Sequence, residues 1–203
     1  RFDAATARWT VRCADGRRFV ARALVLGNGA LHVPATPDIP GLADFQGPCF
    51  HSARWDHSVD LTDRRVAVIG TGASAIQFVP QIAPQVRRLH LFQRTPAWVV
   101  PKPDHPIGPA ARALYARVPG LQRLLRAGLY WQHELRFVAF NRPGLMALAE
   151  PLARRHLARS VRDPALRAAL TPRYRMGCKR ILPSNDFYPA VARANVELVT
   201  DPI

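Results

Sequence analysis

An α/β fold, built on a parallel sheet and carrying a helical insertion, is predicted by three features of this chain. A continuous apolar run, Val66-Ala67-Val68-Ile69, leads straight into the glycine-rich turn Gly70-Thr71-Gly72-Ala73-Ser74-Ala75. A second apolar run, Leu89-His90-Leu91-Phe92, ends about twenty residues beyond the glycines, the spacing of a strand–helix–strand unit. Between residues 110 and 170 the apolar positions instead recur at helical intervals. An unbroken apolar run predicts a strand buried on both faces, as in a parallel sheet.

The remaining elements follow in chain order. Residues 1–30 read as a hairpin: Trp9 to Cys13 alternates, Asp15-Gly16 supplies a turn, and Phe19 to Leu26 runs outward again. Residues 23–29, ALVLGNG, read as an apolar strand ending in glycine. In LHVPATPDIPGL, Pro34, Pro37 and Pro40 forbid a regular helix or a central strand, which predicts an extended linker between domains. Residues 45–56, FQGPCFHSARWD, show neither period, and Leu61-Thr62-Asp63 leads into the strand at Val66. After the turn, Ile76, Val79 and Ile82 share one helical face that points inward, and Pro84 helps to end that helix. Residues 96–109 hold five prolines and leave the strand–helix–strand pattern. Leu114, Val118, Leu121, Leu125 and Leu129 form one apolar stripe and Leu145, Leu148 and Leu152 another, with arginines on much of the opposite faces. These helices are expected to pack on their parent domain. From residue 173 the pattern is mixed: a turn at Gly177-Cys178-Lys179-Arg180, a short helix around Phe187–Arg193, and a strand at Val196–Val199.

Composition narrows the function classes. The chain has 203 residues, 48% of them hydrophobic, which is enough for a core. Its net charge of +15 comes almost wholly from arginines that are scattered, as on a solvated surface. That charge eases binding of a polyanionic cofactor. It also raises a nucleic-acid-binding module as a distant alternative, but no interleaved aromatic–basic motif, zinc ligand set or recognition helix accompanies it, so no nucleic-acid partner is expected. Cys13, Cys49 and Cys178 fit neither a disulfide framework nor a zinc knuckle. A reduced, cytoplasmic setting and no metal are expected. The first residues, RFDAATARW, lack an apolar leader segment, and no run of about 18 apolar residues predicts a membrane span. The chain begins without methionine, as if inside structure, and reads as a fragment of a longer protein.

The turn and the second strand end carry the chemistry. Glycines permit a tight turn and close approach of phosphates, and the amides at the following helix N-terminus can hold them. An acidic residue at the end of the second strand would accept hydrogen bonds from a ribose 2′-hydroxyl and repel a 2′-phosphate. Here Gln93-Arg94-Thr95 stands there with no carboxylate. The guanidinium fork of Arg94, with the Thr95 hydroxyl beside it, suits a phosphate dianion. The strand, glycines, helix and arginine in this order predict a Rossmann-like site for NADP rather than NAD.

Phe45-x-Gly47-x-x-x-His51-x-x-x-Trp55-Asp56 resembles the FxGxxxHxxxW(P/D) fingerprint of Baeyer–Villiger monooxygenases and their class B flavin monooxygenase relatives. GNGALHVPATPDIPGL, GTGASAIQ, FQRTPAWVVPKPD and GCKRILPSNDFYPA are similar to further blocks of that family, and the likeness is weakest in the helical insertion. The resemblance implies an enzyme that uses NADPH, FAD and O₂ to insert oxygen next to a ketone; an N- or S-oxidising flavin monooxygenase is the alternative. The substrate would be a small ketone or a heteroatom compound. It implies residues 1–42 as the end of an FAD domain with its linker, 43–102 and 173–203 as two parts of the NADP domain, the latter returning to the FAD domain, and 103–172 as the insertion. It implies that Gly70, Gly72 and Ala75 shape the turn under the pyrophosphate with Thr71, Ala73, Ser74 and Gln77 nearby. Arg94, Thr95 and Lys179 would bind the 2′-phosphate. Arg180 matches the family's active-site arginine, whose permanent charge stabilises an anionic oxygenated flavin. His51 is expected to fix a loop by a hydrogen bond and not to act as a general base. The fragment is expected to lack a complete FAD site and to be inactive alone.

Overall fold

The computed structural model describes residues 1–27, 29, 33–104, 106–140 and 142–203, without the side chains of 136–140 and 143. The chain divides into two compact units, Arg1–Ser58 and Val59–Ile203.

The first unit opens with a three-stranded antiparallel sheet, β1 (Phe2–Asp3), β2 (Arg8–Arg12) and β3 (Arg18–Ala21), in the order β1-β2-β3. The β2–β3 turn forms at the expected place. Gly16 takes φ +86°, and the Asp15 carboxylate accepts from the Arg17 amide at 3.0 Å. Two expectations are corrected. The hairpin gains an additional strand, β1, in which Phe2 faces Trp9 at 5.1 Å. The run ALVLGNG is not a strand over its described residues, and β3 ends at Ala21 rather than Leu26. Register explains the stop: Ala21 pairs with Trp9 near the start of β2, so residues beyond it meet no strand in this unit. Val25 is consequently 88% exposed. The prolines keep the described part of the linker free of strand and α-helix until a 3₁₀ turn at Leu42–Asp44; its first residues lie outside the described ones.

The second unit holds β4 (Arg65–Ile69), α1 (Ala75–Ile82) and β5 (Arg88–Phe92), with β4 and β5 parallel and in register from Arg65–Arg88 to Ile69–Phe92. After β6 (Val99–Val100) come α2 (Pro109–Arg117), α3 (Leu121–Phe140), α4 (Pro143–Met146), α5 (Glu150–Ser160) and α6 (Pro164–Ala169). β7 (Leu182–Pro183), α7 (Phe187–Val191) and β8 (Val196–Val199) complete it. β8 joins β5 in parallel, giving the sheet order β4-β5-β8. Among the described residues no helix is long and apolar enough to cross a membrane.

The expected inward face of α1 is realised: Ile76, Val79 and Ile82 are buried, as are Val68, Leu89 and Leu91 on alternate strand positions. Asn195 ties the start of β8 to the α1–β5 connection, donating to the carbonyls of Ala83 and Val86 at 2.8 and 2.9 Å. The expectation that β4 is buried on both faces is corrected. It is an edge strand and only alternate residues are covered, leaving Ile69 50% exposed.

The helical segment forms, but its faces differ from expectation. Leu114, Val118, Leu125, Leu129, Leu145, Leu148 and Leu152 are all exposed. The buried side chains are Met146, Ala153 and Leu157. Met146 and Ala153, with the half-buried Ala149, close around Trp98 and Met176. The chain between α4 and α5 tightens into a 3₁₀ turn at Ala147–Ala149, and this sets which face turns inward. The small side chains of Ala149 and Ala153 let α5 approach the Trp98 indole closely, whereas the bulkier leucines point outward. The Trp98 indole donates to the Tyr174 carbonyl at 2.9 Å and lies under the Arg154 guanidinium at 5.1 Å. β6 and β7 pair in parallel beside this core, a second small sheet absent from the expected pattern.

Candidate functional site

The glycine turn sits at the C-terminal end of β4, where a parallel sheet opens a crevice for ligands. Gly70 takes φ +104°, a conformation open to glycine and costly for other residues, and its amide donates to the Phe92 carbonyl at 2.9 Å. That bond fastens the turn to the end of β5. A side chain at Gly70 or Gly72 would meet nothing within 4 Å, so the space above the turn is open. Helix α1 starts at Ala75, and its first backbone bond runs from the Ile76 amide to the Gly72 carbonyl. The amides of Ala73, Ser74 and Ala75 therefore lie in the helix's first turn, ahead of any intrahelical acceptor. The Ser74 hydroxyl makes no capping bond. Gln77 folds back so that its amide donates to the Ala73 carbonyl at 2.8 Å, and Ala75 is buried beneath the turn.

Arg94 follows immediately after β5. It is exposed, and its side chain has no hydrogen-bond or ion-pair partner among the described residues. Thr71, 7% exposed, directs its hydroxyl at the Thr95 carbonyl at 3.5 Å. Turn and strand end are thus brought together, as the order of elements predicts. Gln93, which the sequence reading passed over, is 4% exposed and donates its side-chain amide to the Ala169 carbonyl at 2.9 Å. A polar residue closing an apolar strand was the one signal available for it.

Lys179 and Arg180 occupy the turn that leads into β7, with Gly177 at φ +96°. The pairing of β7 with β6, in which the Leu182 amide donates to the Trp98 carbonyl at 2.9 Å, anchors the segment that follows this turn beside the one that continues from Thr95. The Lys179 ammonium lies 5.0 Å over the Tyr174 ring. Burial pushes the Tyr174 phenol above its usual pKa. Arg180 is exposed and makes no hydrogen bond or ion pair among the described residues.

The fingerprint lies in the first unit and organises its own loop. A Cβ at Gly47 would stand 2.7 Å from the Phe45 ring, so only glycine lets that ring lie across the backbone. His51 Nδ1 accepts from the Ala53 amide at 3.0 Å and starts the 3₁₀ turn Ser52–Arg54. Trp55 stands edge-on to Phe50 at 5.2 Å. The Asp56 carboxylate accepts from the Ser58 hydroxyl at 2.6 Å and its amide at 2.9 Å, and these bonds hold its pKa below the ordinary range.

The flavin-binding monooxygenase-like family profile matches residues 3–126. A Baeyer–Villiger monooxygenase from Pseudomonas aeruginosa is 48% identical over 203 residues, the whole of this chain and 38% of the relative's length. The chain therefore spans well under half of that relative. An oxidized steroid monooxygenase bound to NADP superposes with a TM-score of 0.79 at 33% identity, covering 98% of this chain and 45% of that one. The OTEMO complex with FAD and NADP superposes with a TM-score of 0.79 at 25% identity, with the same two coverages. This chain belongs to the flavin-binding monooxygenase-like family.

Proposed function

We propose that this chain is the NADP-binding part of an FAD-dependent monooxygenase that uses NADPH and O₂ to insert oxygen next to a ketone. The observation that carries the reading is Arg94, an exposed and uncommitted guanidinium held beside the Gly70–Ala75 turn through the Thr71–Thr95 bond. The residues fit the cofactor: two glycines with open space above them, a helix N-terminus behind them, and a cation at the position that reads the ribose. The NADP-bound steroid monooxygenase and the FAD- and NADP-bound OTEMO structure support the same assignment.

In this reading the amides of the turn and of the first turn of α1 hold the pyrophosphate. Arg94 and the Thr95 hydroxyl grip the 2′-phosphate, and Lys179 joins them by leaving the Tyr174 ring. Arg180 contributes a charge that does not titrate, placed to stabilise negative charge at the reacting centre. FAD, when bound, supplies the oxygen-activating chemistry. The fingerprint loop has a conformational part, with His51 structural. Residues 1–42 are assigned to the FAD domain and linker, 43–102 and 173–203 to the NADP domain, and 103–172 to the insertion.

The test is an assay of the intact protein with cyclic ketones, aryl ketones and thioethers, following NADPH loss and product. An ester or lactone from a ketone is expected. Oxidation of amines or thioethers alone would move the protein to the heteroatom-oxidising branch, and NADPH consumption with no oxygenated product would refute the reading.

A further inference from the structure

We infer that Gln93 is a positioning residue for 2′-phosphate recognition, aiming Arg94 by tying the end of β5 to helix α6. This rests on the reading that Arg94 binds the 2′-phosphate. Gln93 is held twice. Its backbone amide donates to the Val199 carbonyl of β8 at 2.8 Å, and its side-chain amide donates to the Ala169 carbonyl at 2.9 Å. The side chain is 4% exposed, so the bond is shielded from competing water.

The anchor is itself rigid. Asp163 caps α6 by accepting from the Ala165 amide at 2.9 Å. Arg167 wraps back to donate to the carbonyls of Val161 at 2.9 Å and Arg162 at 3.1 Å. The Thr171 hydroxyl donates to the Arg167 carbonyl at 2.7 Å, and Val161 and Leu170 are buried on either side. The Ala169 carbonyl is thereby a fixed point. Arg94 itself has no side-chain partner among the described residues to direct it, so its backbone carries its aim. The insertion, remote in sequence from the cofactor turn, thus shares in cofactor choice through one hydrogen bond spanning 76 residues.

The test compares binding of 2′,5′-ADP and of 5′-ADP to the intact protein by calorimetry, with circular dichroism to establish folding. In Gln93→Leu the preference for 2′,5′-ADP is expected to fall about tenfold, while 5′-ADP binding stays within about twofold. An unchanged preference, or equal loss for both ligands, overturns the proposal. Gln93→Glu supplies a second check should the leucine variant not fold. Its carboxylate repels the Ala169 carbonyl, but its protonated acid donates to it, so preference relative to wild type at the same pH recovers as pH falls. A flat pH ratio overturns the proposal. Arg94→Ala separates the two claims: if it keeps the 2′,5′-ADP preference, the phosphate role of Arg94 fails, whatever Gln93 does.

Discussion

Arg94 and Lys179 are the two cations assigned to one phosphate, and the fold treats them differently. Arg94 is exposed and uncommitted, on a segment fixed by the Gln93 and Thr71 bonds. Lys179 lies on a glycine turn with its ammonium already over the Tyr174 ring at 5.0 Å. The guanidinium offers a planar fork that grips a phosphate through two bonds, and it gives up no protein partner to do so. The ammonium gives up a cation–π contact first. The contrast teaches that charge count is a poor guide to a binding site; what each charge must release before it binds decides its share.

Arg94→Ala tests that contrast most severely. NADPH binding is expected to weaken about a hundredfold with NADH nearly unchanged, from loss of a bidentate charge-assisted contact; equal weakening of both would remove the 2′-phosphate role. Lys179→Ala is expected to cost about tenfold for NADPH and again little for NADH. A larger loss than in Arg94→Ala would reverse the ranking. Thr71→Val, which keeps shape and deletes the hydroxyl bond to Thr95, is expected to lower the NADPH preference about threefold, the small effect reflecting a long bond. Tyr174→Leu is the smallest change and has the opposite sign. It frees Lys179 while keeping a buried apolar group, so NADPH affinity should rise about twofold. A fall in affinity would mean that the ring positions the lysine instead of restraining it.

Much of the cofactor half of the fold was legible because its signals are local. The apolar runs, the glycines and the Ile76-Val79-Ile82 spacing mark β4, the turn, α1 and β5 without reference to distant residues. Arg94 was legible for the same reason: its distance from the glycines is fixed by one helix and two strands. The buried face of the insertion was not. Leucines give the stronger periodic signal, yet Met146, Ala149 and Ala153 meet Trp98, because a close approach favours small side chains and that preference exists only once Trp98 is in place. The parallel pair β6–β7 was hidden by its two-residue strands and by Pro183 within one of them. ALVLGNG failed as a strand because pairing is decided by register with β2, not by its own composition. Gln93 and Tyr174 escaped notice because their partners lie 76 residues and five residues away across the fold, at Ala169 and Lys179.

The central claim is that the turn at Gly70 and the arginine at the end of β5 make one NADP site. Titration of the protein with NADPH and NADH, in wild type and in Arg94→Ala, tests it most directly. The expected result is a wild-type preference for NADPH of tenfold or more that vanishes in the variant. Equal affinities in the wild type, or a preference that survives in the variant, would contradict it.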